Sequence, residues 1–339
     1  MDFDLTDEQK SFRDRVRDFA RKEAAPRAAA IDREQRIPVE LLARLGALGL
    51  SGVTVPRTWG GTGLDTVAYV LAMEEIAAAC ASTASLILVH NLACDLLLSS
   101  GSEAQKTRWL HPMASGKIRA CFALTEPEAG SDAAALQTTA RREGDGYVVN
   151  GTKTFVTGGP IADVVVLAAV TDPGRGHKGI SLFIAPTDRP GLSFGGTYEK
   201  MGARGAPAAS LSLKQVVLPA DALLGGAGEG FKIAMRALDG GRIATAALAV
   251  GVARAAFEAA ATRSVGRRTF GQPIADHQSI QFKLADMVTE IDGARVLTLR
   301  AAFKRDAGQR CTTEASQAKL FASEMVNRVA GEAVRVFGG

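Results

Sequence analysis

The chain has 339 residues, of which 47% are hydrophobic, 22% charged and only 6% aromatic, and its formal charge is +4. This composition excludes a disordered or fibrous chain, and few aromatics with plentiful alanine favour closely packed helices over an aromatic-rich β-sandwich. The charge is dispersed: the densest basic group, Arg263 with Arg267 and Arg268, is too small for a nucleic-acid surface and suits a local phosphate better.

The chain opens with helical patterning. In LTDEQKSFRDRVRDF, Thr6 and Gln9 have capping-box spacing, and Phe12, Val16 and Phe19 recur at steps of three and four. PVELLARLGALGL predicts a second helix from Pro38 towards Gly49. LDTVAYVLAMEEIAAACAS and SLILVHNLACDLLLSSG are apolar nearly all round, as central helices are. The acidic start MDFDLTDEQK has no apolar core, so no signal peptide is expected. No apolar stretch reaches about 18 residues free of charge, so no membrane span is expected.

The period then changes. GYVVNGTKTFVT holds Asn150-Gly151 between β-prone runs and predicts a hairpin turning at that pair. ADVVVLAAVT, KGISLFIAPT and ASLSLKQVVLP follow with short turns and no long intervening helix, so the expected sheet is antiparallel. Helical patterning resumes at about Gly230 in three long runs, the last ending VRVFGG. The predicted fold class is therefore α+β and multidomain. An all-α domain spans 1–117, an antiparallel β-barrel or sandwich 118–228, and a four-helix-type bundle 229–339.

Several chemistries find little support. Gly226, Gly228 and Gly230 in LLGGAGEGF lack dinucleotide-binding spacing, and no phosphate-binding P-loop sequence is present. His90, His111, His177 and His277 show no metal-ligand spacing and read as structural, so no metal is expected. Cys80, Cys94, Cys121 and Cys311 form no CxxC pair and read as reduced thiols of a cytoplasmic protein.

FALTEPEAGSDAAA, from Phe122 to Ala135, is the most informative stretch. Glu126 and Glu128 flank Pro127 in an irregular segment, where nothing fixes the separation a catalytic carboxylate pair needs. The loop also carries Thr125, Ser131 and many backbone N–H groups, able to cradle a pyrophosphate or a planar ring; a simple capped turn is the alternative.

LTEPEAGSD resembles the first signature of the acyl-CoA dehydrogenases, flavoproteins that desaturate acyl-CoA thioesters, and the resemblance runs from DFDLTDEQ to VFGG. It implies an FAD-binding segment at Phe122, Leu124, Thr125, Gly130 and Ser131, with Ser131 also touching substrate. KTFVTGG resembles the strand and turn against the isoalloxazine, with Phe155 and Val156 beside the ring and the Thr157 hydroxyl at the N5 edge. RALDGGRIA would place Asp239 and Arg242 along the acyl-CoA channel, although the residues alone read as a helix ion pair. GRRTFGQPIADHQ would bring Arg267, Thr269, Phe270 and Gln278 to the diphosphate and adenosine half, often across a subunit boundary, which implies a homotetramer. Arg335, Gly338 and Gly339 belong to the same cofactor set. The resemblance further implies an electron-transferring flavoprotein as partner; the scattered charge, with no basic stripe able to cover several phosphates, argues against nucleic acid. HNLACDLL and KGISLFIAPTDRPGLSFG look most like short branched-chain members such as isobutyryl-CoA dehydrogenase.

The pattern is broken at the base. Most of the family carries a glutamate well beyond the FGG motif, so the catalytic base is expected past Gly339. Gly241 stands where a minority carry it earlier, and Arg335 stands where relatives commonly have glutamine. Ala206-Pro207 likewise replaces a Ser-containing turn. Alternative readings are a flavin-binding protein without dehydrogenase activity, one recruited to DNA, or a monooxygenase or nitroalkane oxidase relative.

Overall fold

The computed structural model describes residues 4–338. Its helices, in chain order, begin with α1 Asp7–Phe19, α2 Ala28–Glu34, α3 Val39–Ala47, α4 Thr66–Ala79 and α5 Ala81–Ser100. The short α6 Glu103–Gln105 and α7 His111–Ala114 follow. Three long helices come last: α8 Gly230–Gly266, α9 Gln278–Asp306 and α10 Thr312–Phe337. The strands between are β1 Ala120–Ala123, β2 Thr139–Glu143, β3 Gly146–Thr157 and β4 Val164–Val170. They continue with β5 Ile180–Pro186, β6 Leu192–Thr197, β7 Ala208–Pro219 and β8 Leu223–Leu224, and a separate hairpin pairs β9 Arg268–Thr269 with β10 Gln272–Pro273. Two compact units result, one of Met1–Ala28, Asp65–Ala84 and Asp239–Gly339, the other of Ala29–Leu64 and Ser85–Leu238.

In the first unit, Thr6 and Gln9 form the reciprocal capping box, and Phe12 and Val16 are fully buried behind it. α4 has almost no polar face, and Glu74 and Glu75 are buried in it at 6% and 5% exposure. Burying carboxylates is costly unless they are paired. Glu75 receives Arg17 at 2.8 Å from α1 and Arg254 at 2.7 Å from α8, and Glu74 receives Arg295 at 2.9 Å from α9. These pairs hold the Glu75 carboxyl below its ordinary range, although burial alone works the other way. Gly251 of α8 permits the helix crossing beside them: a Cβ there would lie 2.3 Å from the Glu74 carbonyl oxygen.

The second unit is built on a sheet ordered β6-β7-β3-β2-β4-β5-β8, with β1 also on β4. β4 is apolar on both faces because it serves two cores. Val164, Val166 and Ala168 pack with Leu96, Leu97 and Met113, while Val165, Leu167 and Ala169 pack with Val149, Leu211 and Val216. The sheet is mixed, not wholly antiparallel: β1 runs parallel to β4, and β2 meets it in parallel at Thr139 and Val170.

Asn150-Gly151 makes no hairpin. β3 runs straight through it, and the turn falls between β2 and β3 at Gly144 (φ 55°). Gln215 on β7 is an extra residue opposite Asn150, with φ 53°, and both its backbone and side-chain N–H groups donate to Asn150 Oδ1. A second bulge follows on β3, where Thr154 and Phe155 have no partner on β7.

α5 and α8 are long and apolar enough, by length and composition, to cross a bilayer, which the charge-free criterion did not anticipate; α5 carries Asp95. Their apolar windows are 67% and 50% buried within the protein, as in core helices.

Candidate functional site

The loop after β1 is held by atoms that sequence reasoning left out. β1 starts where the Ala120 N–H donates to His90 Nδ1 at 3.1 Å, while His90 Nε2 faces the Met113 carbonyl at 3.1 Å. Burial drives the His90 pKa down, so the ring is neutral, with Nε2 as the donor. His90 is therefore a structural strut, as expected.

Beyond Ala123 the chain leaves β4 and crosses to β3. The Thr154 N–H of the β3 bulge donates to the Thr125 carbonyl at 2.9 Å. Lys153, fully buried, donates to the Leu124 carbonyl at 3.2 Å and to Glu126 Oε1 at 2.6 Å. Glu126 also accepts from the Gln137 N–H at 2.6 Å and the Thr138 N–H at 3.1 Å. Burial works to raise the Glu126 pKa, but Lys153 and these donors outweigh it and keep the carboxyl below its ordinary range. Burial pushes the Lys153 ammonium down to about 8 against the attraction of Glu126. Glu126 and Glu128 are thus no catalytic pair: one is locked under the loop and the other is exposed. Lys153 escaped the sequence reading, although it shares strand parity with the inward-facing Tyr147 and Val149, and a lysine on an inner face needs an acid.

The same bulge turns Phe155 outwards. Its backbone is left-handed, at φ 55°, its ring is 67% exposed, and Tyr198 lies 5.0 Å away between ring centroids. Val156 is buried in the core opposite Ala209, so only its main chain is available to a ligand, and Thr157 pairs with Ala208. Phe122 and Leu124 half-bury against the core, whereas Gly130 and Ser131 are exposed. The Thr125, Gly130 and Ser131 N–H groups donate to nothing among the described residues. An apolar cavity of about 220 Å³ between α3 and α5 reaches Gly158, but none of Thr125, Ser131 or Phe155 lines it.

The remaining expected residues lie in the first unit. Asp239 binds Arg242 at 2.6 Å and accepts the Thr312 hydroxyl at 2.7 Å, tying α8 to α10. The β9–β10 hairpin turns on Phe270 and Gly271, both at positive φ, and leaves Phe270 97% exposed. His277 braces that hairpin through Thr269 and Gln272, each at 3.1 Å, and Gln278 follows as the exposed first residue of α9. Arg267 precedes β9, and its carbonyl accepts the Ile274 N–H at 2.8 Å. Arg335 is exposed and paired with Glu332, Gly338 caps α10 at φ 79°, and Gly339 lies outside the described residues.

An exposed aromatic face beside a loop of unbonded amides suits a planar ring with acceptor atoms on its edge, as a flavoprotein scaffold would hold. Comparison with known proteins agrees. The N-terminal, middle and C-terminal domain models of acyl-CoA dehydrogenase match residues 6–117, 121–216 and 228–339. A probable acyl-CoA dehydrogenase of Bacillus subtilis is 46% identical over 341 residues, spanning 100% of this chain and 90% of the relative. The mitochondrial short-chain specific acyl-CoA dehydrogenase of Bos taurus is 44% identical, over 99% of this chain and 82% of its own length. The structure of butyryl-CoA dehydrogenase from Megasphaera elsdenii superposes with a TM-score of 0.98 at 41% identity, over 100% of this chain and 90% of that one. The chain belongs to the acyl-CoA dehydrogenase family of FAD-dependent oxidoreductases.

Proposed function

We propose that the substrate is a short acyl-CoA, desaturated between its α and β carbons, and that the electrons pass to an electron-transferring flavoprotein. The likeness to short-chain and butyryl-CoA enzymes supports the chain length. The branched-chain preference rests on the sequence resemblance alone and is decided by comparing butyryl-CoA with isobutyryl-CoA. The partner and a homotetrameric assembly likewise follow from the resemblance. Four free, buried thiols fit a cytoplasmic, reducing setting.

FAD, when bound, accepts the β hydrogen as hydride. Phe155 would give the ring a flat apolar wall, and Thr125, Gly130 and Ser131 would give it donors; the resemblance alone puts the Thr157 hydroxyl at the reactive edge. Arg267, Thr269, Phe270 and Gln278 would serve the diphosphate and adenosine half, with guanidinium pairing to phosphate. Asp239 and Arg242 would stand along the substrate channel as a pair already closed on itself.

The α proton needs a carboxylate, and the residues expected to flank the substrate have none to spare. Glu126 is occupied by Lys153 and two amides, Asp239 by Arg242 and Thr312, and position 241 is glycine. On the family resemblance alone, we propose that the base is the glutamate expected past Gly339. The observation that carries the functional reading is the exposed Phe155 ring beside unbonded amides in a chain of this family.

The test is anaerobic addition of butyryl-CoA or isobutyryl-CoA to FAD-loaded protein while the visible flavin band is followed. Protein carrying the glutamate should bleach, whereas a polypeptide of residues 1–339 should turn over about 10²–10⁴-fold more slowly. Full-rate turnover by a polypeptide verified by mass to end at Gly339 would refute the assignment of the base. Flavin that never bleaches with any acyl-CoA in the protein with its glutamate would refute the function.

A further inference from the structure

The flavin reading leaves one group without a task. Lys153 is a cation with no exposure, on the strand that carries the exposed Phe155. Buried ion pairs are poor devices for stability: well-packed apolar residues often do as well or better, because desolvation cancels much of the attraction. What this pair does have is direction. Lys153 Nζ binds both Glu126 Oε1 and the Leu124 carbonyl, and the next backbone N–H, of Thr154, binds the Thr125 carbonyl. In a trans peptide the N–H points opposite to the C=O. With the Leu124 carbonyl drawn towards the Lys153 ammonium, the Thr125 N–H of that same peptide must point away from that ammonium, and it donates to nothing among the described residues.

We propose that Lys153 and Glu126 are positioning residues for FAD: their buried pair fixes the Leu124–Thr125 peptide so that the Thr125 N–H is aimed at an acceptor on the edge of the flavin ring. Glu126 has a double role, since its other oxygen takes the Gln137 and Thr138 N–H groups and pins the far end of the same loop. The low pKa of Lys153, about 8, is consistent with a cation kept where burial opposes it. The inference rests on the flavin reading above, and the experiment separates the two.

Lys153→Met and Glu126→Gln would be prepared as apoproteins, and the binding of FAD and of ADP measured by titration. ADP carries the adenosine diphosphate half alone and never meets Thr125. Losing a charge-assisted hydrogen bond that orders the loop should weaken FAD binding about tenfold or more and shift the visible flavin band. ADP affinity should stay within about twofold, and the far-ultraviolet circular dichroism of the apoprotein should be unchanged. Equal losses for FAD and ADP would mean a general structural role and overturn the proposal, as would unchanged FAD affinity in either folded variant. A measurement on the unmodified protein stands independently of whether the variants fold. Amide exchange at Thr125 should be fast without FAD and protected with it, and equal rates would overturn the proposal. Unmodified protein that binds ADP but no FAD would instead defeat the flavin reading itself.

Discussion

Gly251→Ala and Gly331→Ala are the same chemical change with opposite expected signs. Each replaces a helical glycine, and helix propensity alone favours alanine by about 1 kcal/mol. At Gly331 of α10 nothing lies within 4 Å of the added Cβ, so that gain should survive. At Gly251 the Cβ would lie 2.3 Å from the Glu74 carbonyl oxygen, 2.8 Å from Ala77 Cβ and 3.0 Å from Ala78 N. Two of those atoms are backbone and cannot turn aside, so α4 and α8 must part by about 1 Å to restore ordinary contact. Overpacking of this kind costs up to about 3 kcal/mol, and parting the helices also stretches the Arg254–Glu75 pair beside it. Net of propensity, Gly251→Ala should be destabilised by about 2 kcal/mol, a fall in Tm of roughly 3 °C for a chain of this length, and Gly331→Ala should rise by about 1–2 °C. Melting followed by circular dichroism at one fixed FAD concentration checks this, because bound ligand stabilises by mass action. A Gly251→Ala protein as stable as its parent would show that this crossing is not close-packed and would refute the argument.

Removing Arg254 should leave Glu75 with Arg17 alone, so Arg254→Met should cost about 2–3 kcal/mol in urea unfolding. Adding Glu75→Gln should recover part of that loss, and a strictly additive pair would argue against coupling. The Glu75 and Glu126 carboxyls titrate below their ordinary value of 4.5, so their contribution to stability is complete above that pH and is lost as pH falls through their folded values. Stability should therefore decline below about pH 4.5, and more shallowly in Glu75→Gln or Glu126→Gln than in the parent. Gly241→Glu places a carboxylate where a minority of relatives carry the base, and it should allow a polypeptide of residues 1–339 to bleach with acyl-CoA. Continued absence of bleaching, with FAD bound, would place the productive geometry elsewhere.

Local chemistry in this chain was legible and distant chemistry was not. Thr6 and Gln9 announced a helix start because a capping box involves only three residues' separation, and the structure forms it as expected. Asn150-Gly151 carried an equally strong local signal and misled, because Gln215, 65 residues away, fills the Asn150 oxygen and draws the pair into a continuous strand. The parallel placement of β1 on β4 also depends on partners remote in sequence. At the site, Phe155 was singled out through its motif, whereas its exposure comes from a bulge that only β7 can define. Lys153 was visible in principle as a charge on an inner strand face, and Glu126 as its acid, but each was read in its own segment.

The two bulges between β3 and β7 cancel. The one-residue slip opened at Gln215 is closed again at Thr154 and Phe155, so both strand ends keep the pairing they began with. Insertions and deletions in these two strands are therefore not independent in inheritance. Deleting one bulge alone leaves a strand end out of register and turns a row of apolar side chains to solvent. Deleting both would preserve the sheet but leave one residue in regular extended backbone between the inward Lys153 and Val156, without the left-handed step that presents Phe155. The pair can be lost together without harming the fold, and the surface that would hold the flavin would go with it.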